Sequence, residues 1–262
     1  MKKLLYTLLF CSLLFSLFAH EYILLAYKYR LQKGDTLEMH LFVADGFNIQ
    51  MERPLQISIT KKFELISENG TTDLLAITKD ETLPIINRKV DFDGLGLLHL
   101  ERDYARITLP TEKFKAYLKE DHIENISVNN SKKIQRERYT RYIKSLVQSG
   151  IKKQDTLYKM IVGQNFEIVL LQNPYLLHTG DKLKAKILFN GKPLANKIIT
   201  ARNRIGNEPT VMQTSLTDAM GICSFRLSRK GEWFIHATHM IPCADKADSD
   251  WESFWASYSF GM

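Results

Sequence analysis

The 262-residue chain is 45% hydrophobic and 25% charged, with a net charge of +7. That balance excludes a disordered or fibrous protein and provides apolar surface for two domains. The basic residues concentrate between Lys132 and Lys153, and this stretch reads as the solvated face of a helix, which argues against a nucleic-acid-binding surface.

At the amino terminus Lys2 and Lys3 precede an apolar run over residues 4–18 and a small residue, Ala19. The run is shorter than the roughly 20 residues of a membrane span and has the order of an export signal, so residues 1–19 are expected to be removed, exposing His20. Cys11 lies inside the apolar run behind Phe10, which does not fit a lipoprotein signal. No later segment is apolar enough to cross a bilayer. Membrane contact is expected only if the signal is retained.

From Glu21 onward short apolar segments alternate with turns, and residues 20–103 read as an amino-terminal β-sandwich. "KGD" at 33–35 separates "EYILLAYKYRLQ" from "TLEMHLFV", where Leu37, Met39, Leu41 and Val43 alternate at period two. Leu55, Ile57 and Ile59 continue the alternation, and "TTDLLAIT", "LPIINRKVDF" and "GLLHLERD" predict further strands. "DFDG" at 91–94 lacks the remaining ligands of a calcium loop and reads as a turn.

Residues 104–160 read as a helical bridge. Phe114, Tyr117 and Leu118 have helical spacing behind Pro110 and a threonine cap; Tyr139, Tyr142, Ile143, Leu146 and Val147 predict a second helix ending near Gly150. Strand signals return in residues 161–262 with "NFEIVLL", two strands around Gly191, "ICSFRL", "GEWFIHATHM" and "FWASYSF". The expected fold is therefore mainly β: two immunoglobulin-like antiparallel sandwiches joined by a short helical bridge. An oxidising compartment permits a disulfide between Cys223 and Cys243, with two thiols as the alternative.

The segments "AHEY", "KGDTLEMHLFVADGF", "TGDKLKAKILFNGKPLANKIITA", "TDAMGICSFRLSRKGEWFIHATHM" and "WESFWASYSF" together resemble the NikM-like family of exported bacterial proteins, a domain of unknown function historically labelled a substrate-specific component of nickel uptake. The resemblance spans nearly the whole mature chain. It implies a periplasmic or surface sandwich protein that handles nickel, with the amino-terminal His and the late His of "THM" as its distinctive features. Asp45 stands where members often carry a histidine, and Met220 where a polar residue is usual.

The residues themselves offer compatible chemistry. A mature His20 presents an α-amino nitrogen and a ring Nδ1 together, two donors suited to Cu(II) or Ni(II). His239 is the first additional candidate, because period two places it with Trp233, Ile235 and Ala237 on one face of its strand. His236 is expected to point outward. Asp45, beside the Gly46-Phe47 corner, and His40 complete the candidate metal set. Trp251, Trp255 and Tyr258 read as core aromatics, with a sugar-stacking platform as the alternative. The motifs of zinc proteases, serine hydrolases, dithiol redox proteins and phosphate-binding loops are absent.

The expectation is an exported, non-enzymatic protein that binds nickel, cobalt or copper, with a membrane metal-uptake complex as its partner. Two rivals are an adhesive immunoglobulin-like module that binds protein or glycan without metal, and a copper-dependent oxidative enzyme that uses an amino-terminal histidine brace.

Overall fold

A computed structural model describes residues 21–152 and 154–262; the expected signal, its expected cleavage point and His20 lie outside the described residues. The first half contains β1 (Glu21–Ala26), β2 (Arg30–Leu31), β3 (Thr36–Asp45), β4 (Asn48–Arg53), β5 (Thr60–Ser67), β6 (Gly70–Asp73), α1 (Leu74–Ile77), β7 (Ile86–Lys89) and β8 (Gly94–Arg102). The middle supplies β9 (Ala105–Pro110), α2 (Thr111–Glu120) and β10 (Ile134–Ser149). The last third contains β11 (Phe166–Leu170), β12 (Lys182–Phe189), β13 (Lys192–Pro193), β14 (Ile198–Arg204), β15 (Val211–Leu216), β16 (Ile222–Arg226), β17 (Glu232–Pro242) and β18 (Trp251–Gly261).

The expected mainly β fold of packed, largely antiparallel sheets is what the chain adopts. A ten-stranded sheet has the order β15-β14-β17-β18-β10-β8-β5-β6, with β2 and β9 also pairing with β10. It therefore joins strands from both halves of the chain. Its pairs are antiparallel except those of β10 with β18 and with β2. A second sheet, β1-β3-β4 with β7, covers one face of the large sheet, and Ser257 and Ser259 on β18 donate to the carbonyls of Tyr22 and Leu24. A third, β11-β12-β13 with β16, covers the opposite face, where Phe189 packs edge-on against Phe254 at 5.0 Å. One apolar core contains residues from all three sheets. With cover on both sides, β17 and β18 are buried along most of their length.

The helix expected behind Pro110 forms as α2, with Phe114, Tyr117 and Leu118 buried. Its cap differs: Pro110 precedes it without a side-chain bond, and the Thr111 hydroxyl donates to the Lys132 carbonyl. The second predicted helix is a strand. Residues 142–149 of β10 are buried without interruption, because β8 and β18 flank it and sheets pack across it. A continuous apolar run does not distinguish a helix from a central strand by periodicity alone, and tertiary pairing decided this one. The basic stretch accordingly is not a solvated helix face: Arg136 and Arg138 pair with Asp250, Asp248 and Glu252, and Lys144 is buried against Glu167.

Smaller departures have local causes. In "TTDLLAIT" Asp73 accepts from the amides of Leu75 and Ala76 and nucleates α1 where a strand is expected. Ile57 and Ile59 sit in a short exposed 3-10 turn, which ends their alternation before β5. β15 was not foreseen. Cys223 and Cys243 are both buried free thiols.

Candidate functional site

A cavity of about 230 Å³ opens between the start of β1, the end of β3, the carboxyl-terminal end of α2, and one face of β14 and β17. Period two directs Thr200 and Arg202 of β14 to the same face as His236 of β17, and Thr200 is the register partner of His236. The covering sheet brings Glu21 and Asp45 over that face, and the chain leaving α2 contributes Glu120, Asp121 and His122.

Glu21, Arg202 and His236 form the buried floor. Glu21 Oε1 lies 2.8 Å from Arg202 Nη1 and 2.9 Å from His236 Nε2, while Glu21 Oε2 accepts from the Gly46 amide at 3.2 Å. The His236 ring stacks on Phe234 at 5.3 Å and 3°. Burial raises the Glu21 carboxyl, but His236 and Arg202 together outweigh it and hold the group below its ordinary value. Gly46 adopts a positive φ of 59°, and a Cβ there would come within 2.6 Å of Arg202 Cδ. Glycine at this corner therefore lets the arginine pass close to the backbone.

The wall opposite is acidic. Four carboxyl residues line the cavity against one guanidinium. Burial first, then Glu21 and Glu120, raise Asp121 well above the usual carboxylate range; burial, then Asp45 and Glu21, raise Glu120. Both also sit at the negative end of the α2 dipole, where carboxylates are disfavoured and cations favoured. Beneath the helix, burial lifts Glu137 to about 7, although Ser253 and Tyr117 (3.1 Å) donate to it.

Of the four metal candidates from sequence, Asp45 alone lines this cavity, and His20 lies outside the described residues. His40 stands elsewhere on β3, with Nδ1 2.6 Å from Glu52 and Nε2 3.0 Å from Glu38. His239 does share a face with Trp233, but that face turns to the third sheet, between Phe189 at 4.5 Å and Phe166 at 5.9 Å. Its Nδ1 is buried without a partner, and burial, with help from Lys197, depresses it to about 4. A metal-bound imidazole normally donates its other N–H to an acceptor, which His239 lacks. His236, expected to face outward, is buried because β1 covers its side of β17. Among the described residues, no group of three or more His, Cys, Asp or Glu has ligand-like geometry.

The aromatic tail is core: Trp251 stacks on Phe114 at 6.0 Å, Trp255 on Tyr117 at 5.9 Å, and Tyr258 is fully buried. Sequence reasoning missed Glu21, Arg202 and His236. The available signal was a charged residue at the start or middle of a strand whose neighbours are apolar on both faces.

Residues 17–241 match the family described as Domain of unknown function (DUF4198). The chain belongs to that family. No curated protein matches. Among solved structures the D0-D1 domain of Intimin is similar at 11% identity and a TM-score of 0.21, over 91% of this chain and 97% of that one. Among the described residues no helix is long and apolar enough to cross a membrane.

Proposed function

We propose that this protein is an exported, non-enzymatic binder of a transition-metal ion, with the site in the cavity around His236, and that it serves metal uptake, as its sequence resemblance to the NikM-like family suggests. The observation that carries the reading is the Glu21–His236 pair. Glu21 Oε1 stands 2.9 Å from His236 Nε2, and a carboxylate beside one ring nitrogen is the setting that orients an imidazole for ligation through the other. The surplus of carboxyls supports it: Asp45 and Glu21 raise Glu120, Glu21 and Glu120 raise Asp121, and a bound cation relieves that repulsion. Imidazole and carboxylate donors suit nickel, cobalt, copper and zinc. His20 precedes Glu21 in the chain, so a free amine after cleavage at Ala19 remains a further donor of this proposal.

Calorimetric titration of Ni(II), Co(II) and Cu(II) into the processed protein tests it. His236→Ala is expected to weaken binding by roughly tenfold to a hundredfold or more, Asp45→Asn by less, and His239→Ala not at all. One extra amino-terminal residue should weaken binding as much as His20→Ala if the amine is a ligand. Saturable binding that survives His236→Ala would place the metal elsewhere, and no saturable binding would end the metal reading.

A further inference from the structure

The third sheet turns one face to the core and leaves much of the other to solvent. Period two on β12 puts Leu183, Ala185 and Ile187 in the core, each 0% exposed, and Lys182, Lys184 and Lys186 on the outer face, the first two exposed and the third half-buried. Alternate residues of a strand stand about 6.6 Å apart, so the three ammonium groups form a row. β16 extends it sideways: Arg226 is the register partner of Lys182, and Ser224 of Lys184. The outward positions within 182–186 and 222–226 therefore carry four cations and no carboxylate.

Two features set this row apart from ordinary surface charge. Like charges directly opposite across a ladder are destabilising, and Lys182 with Arg226 is such a pair. Lysines often guard a sheet edge against strand addition, but β12 is no edge, because β11 pairs along one side and β13 and β16 along the other. Strand cations elsewhere are answered: Arg106, Arg138, Arg202 and Arg204 each meet a carboxylate. Among the described residues none of Lys182, Lys184, Lys186 and Arg226 has an ion pair. Asp181, before β12, and Asp218, before β16, are engaged by their own turns, where they accept from the amides of His178, Met220 and Ile222.

We infer that the outer face of β12 and β16 is a docking surface for an anionic lipid bilayer, held by headgroup phosphates. The inference is independent of the metal reading and needs no retained signal. Cations carried on one open sheet face lie near a common plane, which matches a bilayer surface. Lipid headgroups diffuse within that plane and adjust to the spacing of the row, so charge of the opposite sign is the whole requirement. Each Lys or Arg close to an anionic leaflet strengthens binding about fivefold, and four acting together give several hundredfold. Contact of this kind is reversible and weakens with salt.

Cosedimentation of the processed chain with vesicles tests it. The protein should pellet with vesicles of phosphatidylcholine and phosphatidylglycerol in equal parts, stay in solution with phosphatidylcholine alone, and be released at about 1 M sodium chloride, where the Debye length is about 3 Å. Lys184→Gln should weaken binding about fivefold, and the combined Lys182→Gln, Lys184→Gln, Lys186→Gln and Arg226→Gln variant about a hundredfold or more. A control with the same loss of charge on other elements, Lys79→Gln, Lys89→Gln, Lys113→Gln and Lys119→Gln, should bind nearly as wild type. All eight substitutions lie on the surface, and circular dichroism of each variant should match wild type. Equal losses in the two combined variants would reduce the effect to net charge and overturn the inference. So would salt-resistant binding, binding to phosphatidylcholine alone, or no binding to the anionic vesicles. Capture by soluble polyglutamate without capture by the vesicles would overturn it in favour of an acidic polypeptide.

Discussion

Two groups of buried charge in this protein are built on opposite plans. Lys144 of β10 and Glu167 of β11 are each 1% exposed and meet at 2.5 Å. The lysine also donates to the Ile168 carbonyl at 3.1 Å, and Glu167 accepts from the amides of Val162 at 2.7 Å and Gly163 at 3.1 Å. Charge is balanced one to one, and the ionic atoms have partners on every side. The cavity around His236 has more carboxyls than cations, and two of the carboxyls, Glu120 and Asp121, are raised in pKa by burial and by their acidic neighbours. A closed pair of this kind locks two sheets together. An unbalanced cluster around open volume is held under electrostatic tension that a ligand can release.

The largest expected effect is on the closed pair. Lys144→Ala leaves Glu167 charged in the core without its counter-cation and should cost about 3 to 5 kcal/mol in urea unfolding, whereas Lys144→Met with Glu167→Leu should recover most of it. A near-neutral Lys144→Ala would break the contrast. Ni(II) affinity should be unchanged in the double variant.

Glu137 sharpens the comparison through pH. Its folded-state value of about 7 lies above the ordinary 4.5, so the folded chain binds the proton more tightly. Its contribution is complete below about 4.5 and is lost as pH rises toward and through about 7, a loss on the order of 3 kcal/mol. Glu137→Gln should therefore flatten the stability profile between those values and gain on wild type at alkaline pH. An unchanged profile would show that the carboxyl is ionised in the fold.

Asp121→Asn removes one of the repelling carboxyls. It should stabilise the metal-free protein by up to about 1 kcal/mol and weaken Ni(II) binding, a pairing of signs that a structural ion-pair network would reverse. The smallest effect is expected at His239. His239→Phe removes the unsatisfied Nδ1 from an aromatic setting, and thermal unfolding should show a change within about 1 kcal/mol, with metal affinity unaffected.

Local chemistry was legible wherever one stretch of chain decided the outcome. Period-two alternation placed Leu37, Met39 and Leu41 on a buried face, the spacing of Phe114, Tyr117 and Leu118 gave α2, and the same rule put His239 on the face of Trp233. Tertiary packing decided the rest. Whether residues 139–147 became helix or strand depended on β8 and β18 lying alongside. Whether His236 or His239 met the cavity depended on which sheet covered which face of β17. A strand's period assigns two faces but not what covers them, because the covering strands arrive from β1 and β11, far away in sequence. For the same reason Glu21, Arg202 and His236 were unreadable as one site: the contacts between residues 21, 202 and 236 exist only after the sheet of β1 has stacked on the ten-stranded sheet.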